Sequence, residues 1–277
     1  MVLEDEFGDI IAKARAGVGL SRAELADRVE LTEADISKIE AYDSVPASGV
    51  ISRLAEALGL DAGKLNAIAN NTWSPEAPDM SAAEFSVRRV QVPVGQYSEN
   101  AYVVACKQTK QAAVVDPGGA ADEILKIVQD YRLNLILVLI THTHSDHIGG
   151  LPDICRAVPD VTVVSTQIDR QQVVNNDTKW LAAEDGRSFE MGKLTISSLT
   201  TPGHTAGSVC YGLDGACFVG DTMFAASIGR PAVKGGYYKM LEAIKCKILA
   251  LPPDTALLPG HGPITTVAQE RRHNPFF

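Results

Sequence analysis

The sequence predicts a layered α/β domain preceded by a small all-helical unit, and three observations carry that expectation. Before residue 70 the apolar residues recur at helical spacing, and after residue 84 short strand-like runs alternate with helices. Between them Asn70 to Ala83 breaks both patterns with prolines and small polar residues. The expected organisation is a helical domain over residues 1–70, a linker over 71–83 and the α/β domain over 84–277.

The first unit reads as five short helices: Phe7, Ile10, Ile11 and Ala14; Leu25, Ala26 and Val29; Ile36 and Ile39; Val50, Ile51, Leu54 and Leu58; Leu65 and Ile68. Ser21 and Thr32 are expected N-caps, and Glu24, three residues after Ser21, completes a capping box. At 277 residues and 45% hydrophobic content the chain can bury at least one large core. It has no run of ~18 apolar residues, so no membrane span is expected, and its acidic start does not read as a signal peptide. Five dispersed cysteines (Cys106, Cys155, Cys210, Cys217, Cys246) argue against a disulfide framework and for the cytoplasm.

The chemistry concentrates in His142-Thr143-His144-Ser145-Asp146-His147, which follows the apolar run Leu135 to Ile140. That run reads as a buried strand, and period two would point His142 and His144 the same way, toward one metal. A helix expected from Ile148 onward would turn Asp146 and His147 elsewhere, toward a second ion. Further ligands are expected where later strands end: His204 in Thr201-Pro202-Gly203-His204-Thr205 after Leu194 to Leu199, Asp221 after Ala216 to Val219, and His261 after Ala256 to Leu258. His142, His144 and His204 would hold one ion, Asp146, His147 and His261 the other, and Asp221 would bridge them. Imidazole and carboxylate suit two divalent ions, zinc first with iron or manganese as alternatives, and a hydrolytic site keeps a position open for water. His273, beside Arg271, Arg272 and Asn274, is expected at a surface or docking position instead.

At these residues the chain resembles the metallo-β-lactamase-fold superfamily, and within it the glyoxalase II-like (hydroxyacylglutathione hydrolase-like) branch. The resemblance extends from about Phe85 to Phe277 through Asn100-Ala101-Tyr102-Val103-Val104, Val114-Val115-Asp116-Pro117-Gly118-Gly119, Phe224 to Arg230, and the ending Arg271-Arg272-His273-Asn274-Pro275-Phe276-Phe277. It implies an αβ/βα four-layer sandwich and the same ligand roles. One departure is local: the branch usually carries an acidic residue soon after Gly229-Arg230, where this chain has Pro231-Ala232.

The expected reaction is hydrolysis of a thioester of the hydroxyacyl-glutathione kind. Two metals would share a hydroxide, because coordination lowers the pKa of water from about 15.7 toward about 7, and Asp146 would orient that nucleophile as the catalytic carboxylate. No Gly-x-Ser-x-Gly elbow is present to supply a serine instead. Arg230, Lys234, Tyr237 and Tyr238 are expected substrate contacts, since they follow Asp221 and precede the helix around Met240 to Leu249. The alternatives are a persulfide dioxygenase with one iron, or a transcription regulator that uses the metal domain as a sensor.

The helical unit resembles the Cro/repressor type of helix-turn-helix through Gly19-Leu20-Ser21-Arg22-Ala23-Glu24-Leu25-Ala26, Ile36-Ser37-Lys38-Ile39-Glu40 and Leu54-Ala55-Glu56-Ala57-Leu58-Gly59-Leu60. In that motif the start of the second helix enters the major groove, and here it reads Thr32-Glu33-Ala34-Asp35. Residues 1–70 carry seven Lys and Arg against thirteen Asp and Glu, a net charge of −6. Duplex affinity comes mainly from cations, so DNA is disfavoured as a partner. A homo-oligomer, most simply a dimer through this domain, is expected in its place.

Overall fold

The computed structural model describes residues 3–95, 97–174 and 178–277. Five helices open the chain: α1 (Phe7–Gly17), α2 (Arg22–Val29), α3 (Glu33–Glu40), α4 (Ser48–Leu58) and α5 (Ala62–Ala69). The Ser21–Glu24 capping box forms as expected, and Thr32 makes a second one with Asp35. Each satisfies backbone groups that a helix start leaves unpaired. The stripes that defined the helices in the sequence face inward, with Ile10, Ile11, Leu25, Ile36, Leu54 and Leu65 buried.

Six strands form the first sheet in chain order: β1 (Phe85–Val94), β2 (Tyr97–Cys106), β3 (Gln111–Val115), β4 (Asn134–Leu139), β5 (Thr162–Ser165) and β6 (Lys179–Ala182). The pairs β1–β2 and β2–β3 are antiparallel, and β3 to β6 run parallel. Helices α6 (Ala121–Asp130), α7 (Ser145–Ile148), α8 (Leu151–Ala157) and α9 (Arg170–Val173) lie in the connections. The second sheet contains β7 (Ser188–Met191), β8 (Leu194–Thr200), β9 (Val209–Leu213) and β10 (Ala216–Gly220). A hairpin of β11 (Met223–Phe224) and β12 (Ser227–Ile228) follows, then α10 (Gly236–Ala243), which runs on as a π-helical turn at Ile244–Ile248. Strands β13 (Ala256–Pro259) and β14 (Thr265–Thr266) complete this sheet in the order β14-β13-β10-β9-β8-β7, and α11 (Val267–His273) ends the fold.

The layers follow from side-chain alternation. Tyr102, Val104, Leu137 and Leu139 meet Ile196, Tyr211, Phe218 and Leu258 between the sheets, while Ala101, Val103, Val138 and Ile140 pack under Ile124 of α6 and Ile154 of α8. Both faces of β4 are therefore buried, which is why its sequence is a continuous apolar run. At Ile136 a bulge shifts the register, so that Leu135 faces the helices and Leu137 faces the second sheet. The result is the four-layer sandwich that the resemblance implies.

The fourth layer is not built by α10 and α11 alone. The apolar core of the helical domain continues without a break into Cys217, Val219, Met223, Tyr237, Met240 and Ile244, on the outer side of the second sheet. Polar contacts fix the same junction. Lys13 Nζ donates to the Ile228 carbonyl at 2.8 Å and pairs with buried Asp5, and the Asp61 N–H donates to the Pro275 carbonyl at 2.8 Å. His273 has the docking position expected of it, stacked on Trp73 with centroids 4.5 Å apart.

One element differs from the sequence expectation. Helical structure begins at Ser145, not at Ile148, and pauses at Gly149-Gly150 before α8. Gly149 and Gly150 pack against the Gly118 carbonyl oxygen, from which a Cβ would stand only 2.9 or 3.0 Å, so the turn between the two helices takes glycine. Asp146 and His147 consequently lie on their own short turn, α7.

Candidate metal centre

All seven sequence-predicted ligands converge where β4, β8, β10 and β13 end. His142 and His144 follow β4 in extended backbone, Asp146 and His147 ride on α7, His204 follows β8, Asp221 follows β10, and His261 follows β13. The loop carrying His261 is held by β2: Asn100 Nδ2 donates to the Pro259 and Gly262 carbonyls at 3.0 and 2.9 Å, and the Tyr102 hydroxyl donates to the Pro259 carbonyl at 2.7 Å. The Asn-x-Tyr pattern of β2 thus positions a ligand 159 or more residues away.

Four imidazoles are oriented by the same device. His147 donates its Nδ1–H to Asp116 Oδ2 at 2.9 Å, and His142 to Thr141 Oγ1 at 3.0 Å. The Thr141 hydroxyl in turn donates to Asp116 at 2.6 Å. His204 donates to the Arg230 carbonyl and His261 to the Ser98 carbonyl, each at 2.9 Å. In every case Nδ1 is engaged and Nε2 is the nitrogen turned toward the centre, the arrangement in which ring-nitrogen partners orient metal-binding histidines; on His261 that Nε2 carries a proton shared with Asp146, which an ion would displace.

Two groups of ligand atoms result. His142 Nε2, His144 Nδ1 and His204 Nε2 lie 3.0 to 3.3 Å from one another. Four ligands at zinc distance in a tetrahedron stand about 3.3–3.4 Å apart, so one ion fits among them. Asp146 Oδ2 lies 3.5 Å from His261 Nε2, and His147 Nε2 completes that second group. Asp221 stands between the two, with Oδ2 3.5 Å from His204 and 3.7 Å from His261, and Oδ1 3.4 Å from His147. His147 Nε2 and Asp221 Oδ1 are buried without a hydrogen-bond partner among the described residues. Buried polar atoms are ordinarily paired, and lone pairs this close repel unless a cation lies among them. The donor set fits two divalent ions.

The electrostatics divide the groups. Burial and the neighbouring imidazoles hold His142 below the usual histidine range, and burial lowers His204 despite Asp221. For His261, burial is outweighed by the hydrogen bond to Asp146 and the charges of Asp221 and Glu4, and its pKa is pushed up to about 9. Burial likewise opposes, and Asp221 and Asp116 overcome it, to raise His147. The hydrogen bond from His261 keeps Asp146 well below the usual carboxylate range, so it stays anionic.

Several supporting residues had no signal in the sequence. Thr141 acts through a hydroxyl and Ser98 and Arg230 through carbonyls, which any residue could supply. Asp116 was visible only as part of a strand end. Asp169 is buried beneath the loop and accepts from the hydroxyls of Thr143 and Thr166, each at 3.1 Å. Glu99, fully buried and close to Gly118, has neither carboxyl oxygen paired among the described residues. Burial and the charges of Asp116, Asp221 and Asp146 push it up to about 11. Of the four expected substrate contacts, Arg230, Lys234 and Tyr238 are exposed, whereas Tyr237 is enclosed by Gly17 of α1 and Phe276.

Sandwich and site together define a metallo-hydrolase fold with a helical domain attached. The chain belongs to the metallo-beta-lactamase superfamily, whose pattern it matches over residues 94–261, and it carries a helix-turn-helix domain over residues 6–68. It is similar to a probable metallo-hydrolase, YqgX, of Bacillus subtilis, 33% identical over 67% of this chain and 95% of that protein. It is 36% identical to a hydroxyacylglutathione hydrolase of Vibrio campbellii over 60% of this chain and only 62% of that relative's length. Among solved structures it is similar to the BLEG-1 B3 metallo-beta-lactamase (33% identity, TM-score 0.59, 68% of this chain and 99% of that one). It is also similar to ETHE1 from Myxococcus xanthus (28%, TM-score 0.59, 68% and 83%) and to TTHA1623 in a di-iron-bound form (28%, TM-score 0.55, 68% and 100%).

Proposed function

We propose that the protein is a two-metal hydrolase of thioesters of the hydroxyacyl-thiol kind. The observation that carries this reading is the pair of ligand groups sharing Asp221, with an anionic Asp146 beside them and His144 exposed to solvent at the edge. Likeness to the hydroxyacylglutathione hydrolase supports the substrate class. Bound divalent ions would lower the pKa of water toward about 7 and polarise the acyl carbonyl. The chain's own part is positional. Asp146 would accept a hydrogen bond from the attacking water and so orient it; a C–O bond forms as the C–S bond breaks, and the water's proton ends on the departing thiolate. The products are a carboxylic acid and a free thiol. Arg230, Lys234 and Tyr238 would contact the thiol carrier, and Tyr237 would hold their loop from beneath.

The helical domain enters this proposal as a docked module. Glu33 and Asp35 open α3, and hydrogen bonds from Thr32 keep the Asp35 carboxyl below its usual range, so an anionic Asp35 stands where a phosphate would lie. A homodimer is proposed through what docking leaves exposed, Tyr42 (51%) and Val45 (56%) between α3 and α4. No helix among the described residues is long and apolar enough to cross a membrane. The cytoplasm is proposed on the dispersed cysteines alone.

Metal analysis of the purified protein together with a thioester panel tests the reading. About two first-row ions per chain, zinc or a mixture with iron or manganese, and thiol release from S-lactoylglutathione or a related hydroxyacyl thioester are expected. One iron per chain, oxygen uptake with glutathione persulfide and no thioester turnover would establish a persulfide dioxygenase instead.

A further inference from the structure

We propose that the helical domain supplies a specificity-determining residue to the metal centre: the Glu4 carboxylate, which favours ligands whose far end carries an ammonium group over ligands ending in a carboxylate. Glu4 lies outside the matched superfamily pattern, which begins at residue 94, so this wall of the site comes with the added domain.

The geometry places Glu4 directly against the ligand loop. Gly262, next to His261, has a left-handed backbone with φ of 73°. A Cβ there would stand 2.8 Å from Glu4 Cβ and 3.2 Å from Glu4 N, so the two backbones are in contact. The segment is also fixed. Its next residue, Asp5, is buried and paired with Lys13. Lys13 donates to the Ile228 carbonyl at 2.8 Å and lies 4.9 Å from the centroid of Phe224. Phe224 is edge-on to His261, with centroids 5.9 Å apart. The hairpin that follows Asp221 and the loop that holds His261 therefore clamp residues 4 and 5 from two sides.

Glu4 is half-buried; burial raises its carboxyl above the usual range, His261 of the centre and Lys13 oppose that rise, and Asp5 and Asp221 add to it, so the group lies within electrostatic reach of the centre. A carboxylate so placed acts on whatever lies in the mouth of the site. Its attraction for an ammonium and repulsion of a carboxylate need no contact, since a pair of unit charges in this partly solvated setting still shifts an equilibrium about three- to tenfold.

The inference rests on the metal centre but not on thioester hydrolysis, and its test reads binding rather than turnover. Two thiols of equal length, cysteamine and 3-mercaptopropionate, differ only in the charge at the far end; 2-mercaptoethanol serves as the neutral reference. Calorimetric Kd values are measured for each on the metal-loaded full chain and on Glu4→Gln. The wild type should favour cysteamine over 3-mercaptopropionate once each is referenced to 2-mercaptoethanol. Glu4→Gln should reduce that preference about three- to tenfold, with metal content and Tm unchanged and with the difference shrinking at raised ionic strength. An unchanged ratio, or equal changes for all three thiols, would overturn the proposal. Loss of an ion in Glu4→Gln would overturn it too, by making Glu4 a ligand, and a wild type that holds no metal would overturn it together with the functional reading. A wild type that binds the thiols as expected but hydrolyses no thioester would overturn the functional reading alone.

Discussion

The helical domain and the sandwich are held by one apolar core, yet they treat charge in opposite ways. In the sandwich, His142, His147, His204 and Asp221 are buried within a few ångströms of one another, and atoms such as His147 Nε2 lack a partner among the described residues. In the helical domain the first turn of α3 shows Glu33 and Asp35 to solvent. Buried charge of this kind is costly unless something compensates it, whereas exposed charge costs little and mainly decides what is repelled. The same residue types thus mean an ion site in one region and an excluded partner in the other.

The most damaging way to break the comparison is to separate the regions. Deleting residues 1–72 would uncover Val219, Met223, Met240 and Ile244, all fully or nearly fully buried. The truncated chain is expected to aggregate rather than to survive as a folded monomer or a weakened dimer. A soluble truncated protein with the full Tm would show that the shared core is dispensable.

Within the sandwich, His147→Ala should release one ion and most of the hydrolysis, and Asp146→Asn should slow turnover by at least ~100-fold. Metal content separates the two variants. A fully loaded His147→Ala protein with unchanged rate would remove His147 from the ligand set.

A smaller effect distinguishes the two ligand groups by pH. His261 is raised to about 9 and His147 is raised as well, so an ion there must displace protons, and its affinity falls as pH drops below about 9. His142 and His204 are lowered, stay neutral further into acid, and should keep their ion longer. Acidification followed by metal analysis should therefore empty the Asp146, His147 and His261 group first. Simultaneous or reversed release would contradict that order.

The smallest expected effect is none at all. Selection from random DNA duplexes should recover no enriched sequence, because Glu33 and Asp35 repel the phosphates that such domains usually hold. A reproducible site bound with steep salt dependence would restore the regulator reading.

The convergence of these seven side chains was legible in the sequence because strand period and strand-then-loop order are local patterns, and His142 through His147 concentrate four of the candidate ligands in six residues. What orients those side chains was not legible. His261 depends on the carbonyl of Ser98, 163 residues away, and a carbonyl has no sequence signature. The five helices were legible from their apolar stripes, but a stripe shows only that a face is buried. It could not show that Gly17 would close over Tyr237, or that Lys13 would reach the Ile228 carbonyl. Nor could a stripe show that Gly149 and Gly150 would pack against the Gly118 carbonyl oxygen.

The continuous core between the helical domain and the second sheet also orders events during synthesis. Helices α1 to α5 leave the ribosome before the sandwich does, but the apolar face they present is completed by residues as late as Val219, Met240 and Ile244. Until those residues emerge, the helical domain waits with its surface uncovered. Contacts so distant in sequence form slowly, and the nascent chain is open to aggregation and to chaperones over that interval.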